Sequence, residues 1–141
     1  MYLLDTNVIS ELRKTKPHGA VVAWLRSVES GDLFIPAVVI GEMQAGAERT
    51  RSRDPEKTAE IERFLDRVIA SYAVLPLDAA VFREWARLIY GKSRDLTEDA
   101  LIAATARIHH LVVVTRNVKD FATFNVQVLS PFLGKSYAPS A

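Results

Sequence analysis

Met1-Tyr2-Leu3-Leu4-Asp5-Thr6-Asn7 is the stretch whose reading decides the fold. A short apolar run ends abruptly in a carboxylate and two small hydrogen-bonding residues, and a helical pattern follows. In an open parallel α/β sheet, ligands lie in the crevice beyond the carboxyl ends of the strands. An acid at the tip of a buried first strand therefore stands where a polar centre is expected. Asp5 or Thr6 can equally serve as a helix cap, a position both residue types favour. The other carboxylates decide between these roles.

Working outward, the same strand-then-helix alternation recurs. Val8 to Lys14 and Ala20 to Ser30 have helical spacing, the second through Val21, Leu25 and Val28. Leu33-Phe34-Ile35 is a strand closed by Pro36, since proline is poorly tolerated inside a central strand. Ala37 to Arg49 follows as a helix carrying Glu42. Pro55 suits the first position of the next helix, whose stripe is Ile61, Phe64, Leu65, Val68 and Ile69. Tyr72 to Leu75 is a third strand, and Asp78 to Ile89 a helix with Val81, Trp85, Leu88 and Ile89 on one face. Thr97 is expected to cap the alanine-rich helix Glu98 to His109. Leu111 to Val114 is apolar throughout, as befits a strand covered on both faces. A short turn or helix spans Val118 to Phe121, and Asn125 to Leu129 is a last strand.

Strands alternating with helices predict a three-layer α/β/α sandwich around a parallel sheet of about four to five short strands. The 141 residues suit one domain, taken as 1–133, with a loose tail over 134–141. No apolar run nears the roughly 20 residues that span a bilayer, and no basic segment precedes an apolar core at the amino terminus. A cytoplasmic protein is the expectation.

Composition narrows the chemistry. Cysteine is absent, which excludes disulfides, thiol catalysis and thiolate-bound metals. His18, His109 and His110 have no spacing suited to a metal, and the adjacent pair falls at a helix end. Any metal must be held by oxygen, which favours Mg²⁺ or Mn²⁺. A net charge of +1 does not announce a nucleic-acid binder, so local clusters must carry that argument. Nucleotide-binding glycine loops and the HExxH and GxSxG motifs are all absent.

Four acids fall near strand tips: Asp5, Glu42, Asp99 at the start of the alanine-rich helix, and Asp120. Glu11, Asp95 and Glu98 compete for places, and each of the four has an ordinary role as a cap or solvated helix residue. Crowded on one rim, such acids would need a cation or raised pKa values. A hard ion there could activate water for attack on a phosphodiester.

Leu3 to Glu11 (LLDTNVISE), Glu42, Glu98 to Ala106 (EDALIAATA) and Val114 to Phe121 (VTRNVKDF) together resemble the PIN-domain proteins, and more narrowly the VapC- and FitB-type toxins of bacterial toxin–antitoxin pairs. The match extends from Met1 to about Phe132, in order. The resemblance implies a Mg²⁺-dependent endoribonuclease with Asp5, Glu42, Asp99 and Asp120 as its catalytic acids. It selects Asp99 over Glu98, as the acid directly before the Ala-Leu-Ile-Ala-Ala run. Asp5 and Asp99 would ligate the metal, Glu42 and Asp120 directly or through water. Thr6, Asn7, Thr115 and Asn117 would orient the carboxylates or a bound water. It also implies a homodimer and a small antitoxin that blocks the site within a larger assembly. RNA-binding candidates are Arg49, Arg51, Arg53, Arg94 and Arg116. Two alternatives stand beside this one. A phosphohydrolase with Asp5 as nucleophile often needs a second acid where this chain has Asn7, and a non-catalytic binding module would not need all four acids.

Overall fold

The computed structural model describes residues 1–139. Among them, one six-stranded sheet runs in the order β3-β2-β1-β4-β5-β6. β1 (Tyr2–Leu4) lies in the middle, parallel to β2 (Leu33–Pro36) on one side and β4 (Val112–Val114) on the other. β3 (Ala73–Leu75) extends the first edge and β5 (Val128–Ser130) the second, both parallel. β6 (Lys135–Tyr137) closes that second edge antiparallel to β5. The chain winds outward from β1 to β3, then returns to the far side of β1 as β4. The winding therefore reverses between β1 and β4, and the crevice beyond their carboxyl ends is where such a sheet holds ligands. Asp5 and Thr115 are the first residues beyond these two strands.

Helices cover both faces, giving the three-layer α/β/α arrangement. They are α1 (Thr6–Ile9), α2 (Gly19–Ser27), α3 (Ala37–Thr50), α4 (Pro55–Ser71), α5 (Ala79–Ile89), α6 (Thr97–His109) and α7 (Val118–Ala122). α3 packs on α4, and α5 on α6. Local chemistry sets several ends. The Asp54 side chain accepts from Lys57 N at 3.1 Å, with Pro55 entering the first turn of α4. Asp78 caps α5 through Val81 N at 3.0 Å. Ala100, Ala103, Ala104 and Ala106 of α6 are all buried, so this helix lies tight against its neighbours through small side chains. Leu3, Leu4, Ile35, Val113, Val114 and Phe121 are wholly buried in the core beneath the site. Each such side chain contributes about 1.5–3 kcal/mol by leaving water.

The structure departs from the sequence-based expectation at several ends. The first helix splits into α1 and a 3₁₀ turn (Ser10–Arg13). Helix α2 stops at Ser27, because Val28 is extended and a 3₁₀ turn (Ser30–Asp32) leads into β2. Thr97 is not the cap of α6; it is already helical, and its hydroxyl donates to Arg94 O at 2.7 Å. A 3₁₀ turn (Arg94–Leu96) feeds straight into the helix and takes over the cap's role. Ile69 is half exposed, unlike the rest of its stripe.

The largest departure is at the carboxyl end. Asn125 turns the chain with φ 55°, so β5 begins only at Val128. The composition from Gly134 onward predicts a loose tail, yet Lys135–Tyr137 form β6, reached through Gly134 at φ 64°. Glycine meets no Cβ penalty in that conformation, and the free edge of β5 supplies backbone partners that no local sequence signal announces. Ser140 and Ala141, also part of the expected tail, lie outside the described residues.

Candidate active site

Asp5 is the fixed point of the site. Only 4% of it is exposed, and three donors hold its carboxylate. Oδ1 accepts from Thr6 N at 2.7 Å. Oδ2 accepts from Thr115 Oγ1 at 2.7 Å and from Asn7 Nδ2 at 3.3 Å. Asp5 is thus both the cap of α1 and the centre of the polar network, and the two roles are compatible. Backbone bonds continue the sheet past its strands: Asp5 N donates to Val114 O and Thr115 N to Leu129 O, each at 3.0 Å.

The polar residues on either side form one lattice. Asn7 Nδ2 also lies 3.3 Å from Thr115 Oγ1, and Asn7 Oδ1 accepts from Arg116 N at 3.1 Å. Thr115 Oγ1 accepts from Asn117 N at 2.9 Å, which fixes the turn into α7. The Thr6 hydroxyl donates to Glu42 Oε2, tying α3 to the tip of β1. Thr6, Asn7 and Thr115 therefore position the carboxylates through their side chains, whereas Asn117 does so through its backbone.

The four acids singled out in the sequence meet at this rim. Asp99, in the first turn of α6, is pushed up to about 7, first by burial and then by Asp5, Asp120, Glu42 and Glu98. Asp5 is also raised, with burial outweighing its hydrogen bonds and Glu42 adding repulsion. The cluster has a fifth member that the resemblance set aside. Glu98 is raised by burial and by a carboxyl–carboxyl contact with Glu42, Asp5 adding to the repulsion. Consecutive acids at the head of α6 both reach the rim, and their place in the first helical turn was the available signal.

The basic candidates divide. Arg49, at the end of α3, lowers the raised Glu98 by its charge. Arg116 holds its guanidinium carbon 4.0 Å from the Phe132 ring centroid. Arg51 is committed elsewhere, to Glu48 at 2.7 and 2.9 Å and to Glu62 at 3.1 Å. Arg53 leans back on Arg49 O, and Arg94 is exposed in the turn before α6. Among the described residues, none of these last three forms an ion pair with the clustered acids.

Five carboxylates share this centre, and among the described residues none of them is in an ion pair. Its donors are all oxygens, and its innermost acids are lifted towards neutrality, which is the chemistry a hard divalent cation would relieve. Among the described residues, no three acids or histidines are already closed around one point. The donor set, rather than a preformed cage, fits the ion.

The PIN domain family model matches residues 2–125. Toxin FitB of Neisseria gonorrhoeae is 34% identical over 138 residues, covering 94% of this chain and 99% of FitB. VapC ribonuclease Y4jK of Sinorhizobium fredii is 32% identical, covering 94% and 98%. Among solved structures, that of FitAcB from Neisseria gonorrhoeae superposes with a TM-score of 0.81 at 33% identity, covering 94% of this chain and 99% of that one.

Proposed function

The chain belongs to the PIN-domain family, alongside its FitB and VapC toxins, and we propose that it is a Mg²⁺-dependent endoribonuclease, the toxin half of a toxin–antitoxin pair. The observation that carries this is the convergence of Asp5, Glu42, the α6 pair Glu98 and Asp99, and Asp120 from four separate segments onto the switch point of the sheet. The name ribonuclease borne by the relative Y4jK supports RNA as the substrate.

In this reading Asp5 and Asp99 hold the ion, with Glu42 and Asp120 acting directly or through water. Mg²⁺, or Mn²⁺ in its place, would supply an activated water and offset charge on the phosphodiester. The protein's own work is positional. Thr115 and Asn7 keep Asp5 in one orientation, and Thr6 does the same for Glu42. Glu98 adds negative charge beside Glu42 and Asp5, which favours the ion's retention. Arg116 and Arg49 flank the centre as contacts for RNA phosphates. The proposal includes a cytoplasmic setting, a homodimer and an antitoxin that masks the site. No described helix is long and apolar enough to cross a membrane. Asn7 is bonded to Asp5 and Arg116, so no acid stands where a phosphohydrolase would need one.

The test is cleavage of a panel of structured and single-stranded RNAs by the wild-type chain with Mg²⁺ or EDTA, and by Asp5→Asn with Mg²⁺. Cuts are expected only for wild type with Mg²⁺. Equal cutting by a folded Asp5→Asn chain would refute the assignment.

A further inference from the structure

Beside Asp120 the surface opens into a groove of about 600 Å³, whose apolar wall the chemistry described so far leaves unused. Val118, Leu133 and Tyr137 make it mostly apolar, while Arg116, Lys119 and Asp120 edge it. The Asp120 edge joins it to the acid cluster, since Asp120 is one of the charges that lift Asp99.

One of its cations is held in place. Arg116 is stacked on Phe132, which meets His18 edge-on at 5.2 Å, and its backbone N–H is bonded to Asn7 in the polar lattice of the site. A guanidinium already ordered on an aromatic face loses little freedom on meeting a phosphate. The opposite wall exists because the chain folds back as β6. Leu133 N lies 3.3 Å from Ser130 Oγ in the turn before Gly134. This leaves Leu133 64% exposed at the lip and the Tyr137 ring half-buried behind it.

An apolar slot with two cations on its rim, leading into a phosphodiester-cleaving centre, matches one nucleotide: a flat base with charged phosphates on either side. Proteins hold unstacked RNA bases against aromatic and apolar side chains, and a base paired in a duplex is not free to enter such a slot. Resting on the endoribonuclease reading, we propose that this groove is a base-binding subsite for the nucleotide next to the scissile phosphate. Leu133 and Tyr137 take the base, and Arg116 and Lys119 take its phosphate. A protein segment could also fill an apolar slot, but the paired cations and the continuity with the acids favour a nucleotide.

The experiment measures cleavage of an unstructured RNA that the wild-type chain cuts, and of the same RNA with an abasic ribonucleotide on either side of the cut. Wild type, Leu133→Ala, Tyr137→Phe and the double variant Leu133→Ala with Tyr137→Ala are compared. For wild type, one abasic position should raise KM roughly ten-fold, the scale of one lost base stack. The double variant should show that loss on intact RNA with kcat within about two-fold, and no further loss on abasic RNA. Leu133→Ala alone, at an exposed position that folding does not need, should show part of it. Tyr137→Phe should behave as wild type. Unchanged KM in Leu133→Ala and in the double variant, or abasic and side-chain losses that simply multiply, would overturn the subsite while leaving the nuclease intact. So would variants that cut normally but escape inhibition by a bound antitoxin, which would give the groove to a protein. Failure of the wild-type chain to cut any RNA would overturn the endoribonuclease reading and the subsite with it.

Discussion

Asp5 and Glu11 are acids six positions apart, and neither is more than 4% exposed, yet the protein treats them in opposite ways. Asp5 lies deep at the tip of β1 among other carboxylates, and its pKa is raised by burial despite three donors. Glu11 lies just under the surface in the turn after α1, covered by Lys14. Its carboxylate accepts from Lys14 Nζ and from His18 N at 2.8 Å, and these bonds, with the charges of Lys14 and Arg116, hold its pKa below the usual range. Low exposure is common to both; the depth of burial, which weighs most on Asp5, and the sign of the neighbouring charge are not. Glu11 is satisfied and fastens the entry to α2. Asp5 is held among like charges with a raised pKa, and that makes the strand tip a candidate site as well as a cap.

The sharpest way to break this contrast is to neutralise the two acids in turn. Asp5→Asn should lower the rate of RNA cleavage on the order of a thousand-fold, the scale of several kcal/mol of charge stabilisation. Its melting temperature should stay within a few degrees of wild type. Glu11→Ala should do the reverse, costing about 1–3 kcal/mol of stability through the unpaired His18 N–H and the lost Lys14 contact, with kcat of the folded enzyme nearly unchanged. Denaturant melts and single-turnover cleavage read both. Activity lost equally in both variants would erase the distinction.

A subtler effect concerns pH. Asp99 titrates near 7 in the folded chain and has an ordinary value of 3.8. The folded state therefore binds more protons than the unfolded one between these values. The contribution of Asp99 to the stability of the metal-free protein should be full below about pH 4, fall as pH rises towards 7, and level off above it. Glu11, with its lowered pKa, contributes in the opposite sense, its stabilisation fading as pH falls through the acid range. Asp99→Asn should flatten the loss on the neutral side and stabilise the metal-free chain at pH 8 while abolishing cleavage. Saturating Mg²⁺ should flatten it as well, by supplying the missing charge. Thermal melts in EDTA from pH 4 to 8 would check both.

The smallest expected effect separates the arginines. Arg51→Ala should leave KM for RNA within about two-fold of wild type, because its guanidinium is spent on Glu48 and Glu62. Arg116→Ala should raise KM several-fold. A large KM effect at Arg51 would mean that its ion pairs give way to substrate.

Much of this was legible in the residues themselves. The apolar runs ending at Asp5 and Pro36, the helical stripe through Ile61, Phe64, Leu65 and Val68, and the all-apolar 111–114 run each encode an element through local spacing. Spacing also put Asp5, Glu42, Asp99 and Asp120 near strand tips. What spacing could not supply was the company each acid keeps. The motif resemblance selects Asp99 and passes over Glu98, but the first turn of α6 brings both to the rim. Arg51 looked like an RNA contact, but α4 brings Glu62 within 3.1 Å of it. The segment after Gly134 carried no strand signal, because its pairing depends on β5 offering a free edge.

By itself, then, the sequence determined the alternating α/β order, the faces that would be buried and the set of acids available for chemistry, because these depend on residues within a few positions of one another. Only the tertiary structure decided which acids would share one field, which cations would be left for a substrate, and that β6 would wall a groove beside them. Those outcomes depend on distances between segments separated by as much as 110 positions, such as Asp5 and Thr115. A charge answers to whatever stands within a few ångströms, however far away along the chain.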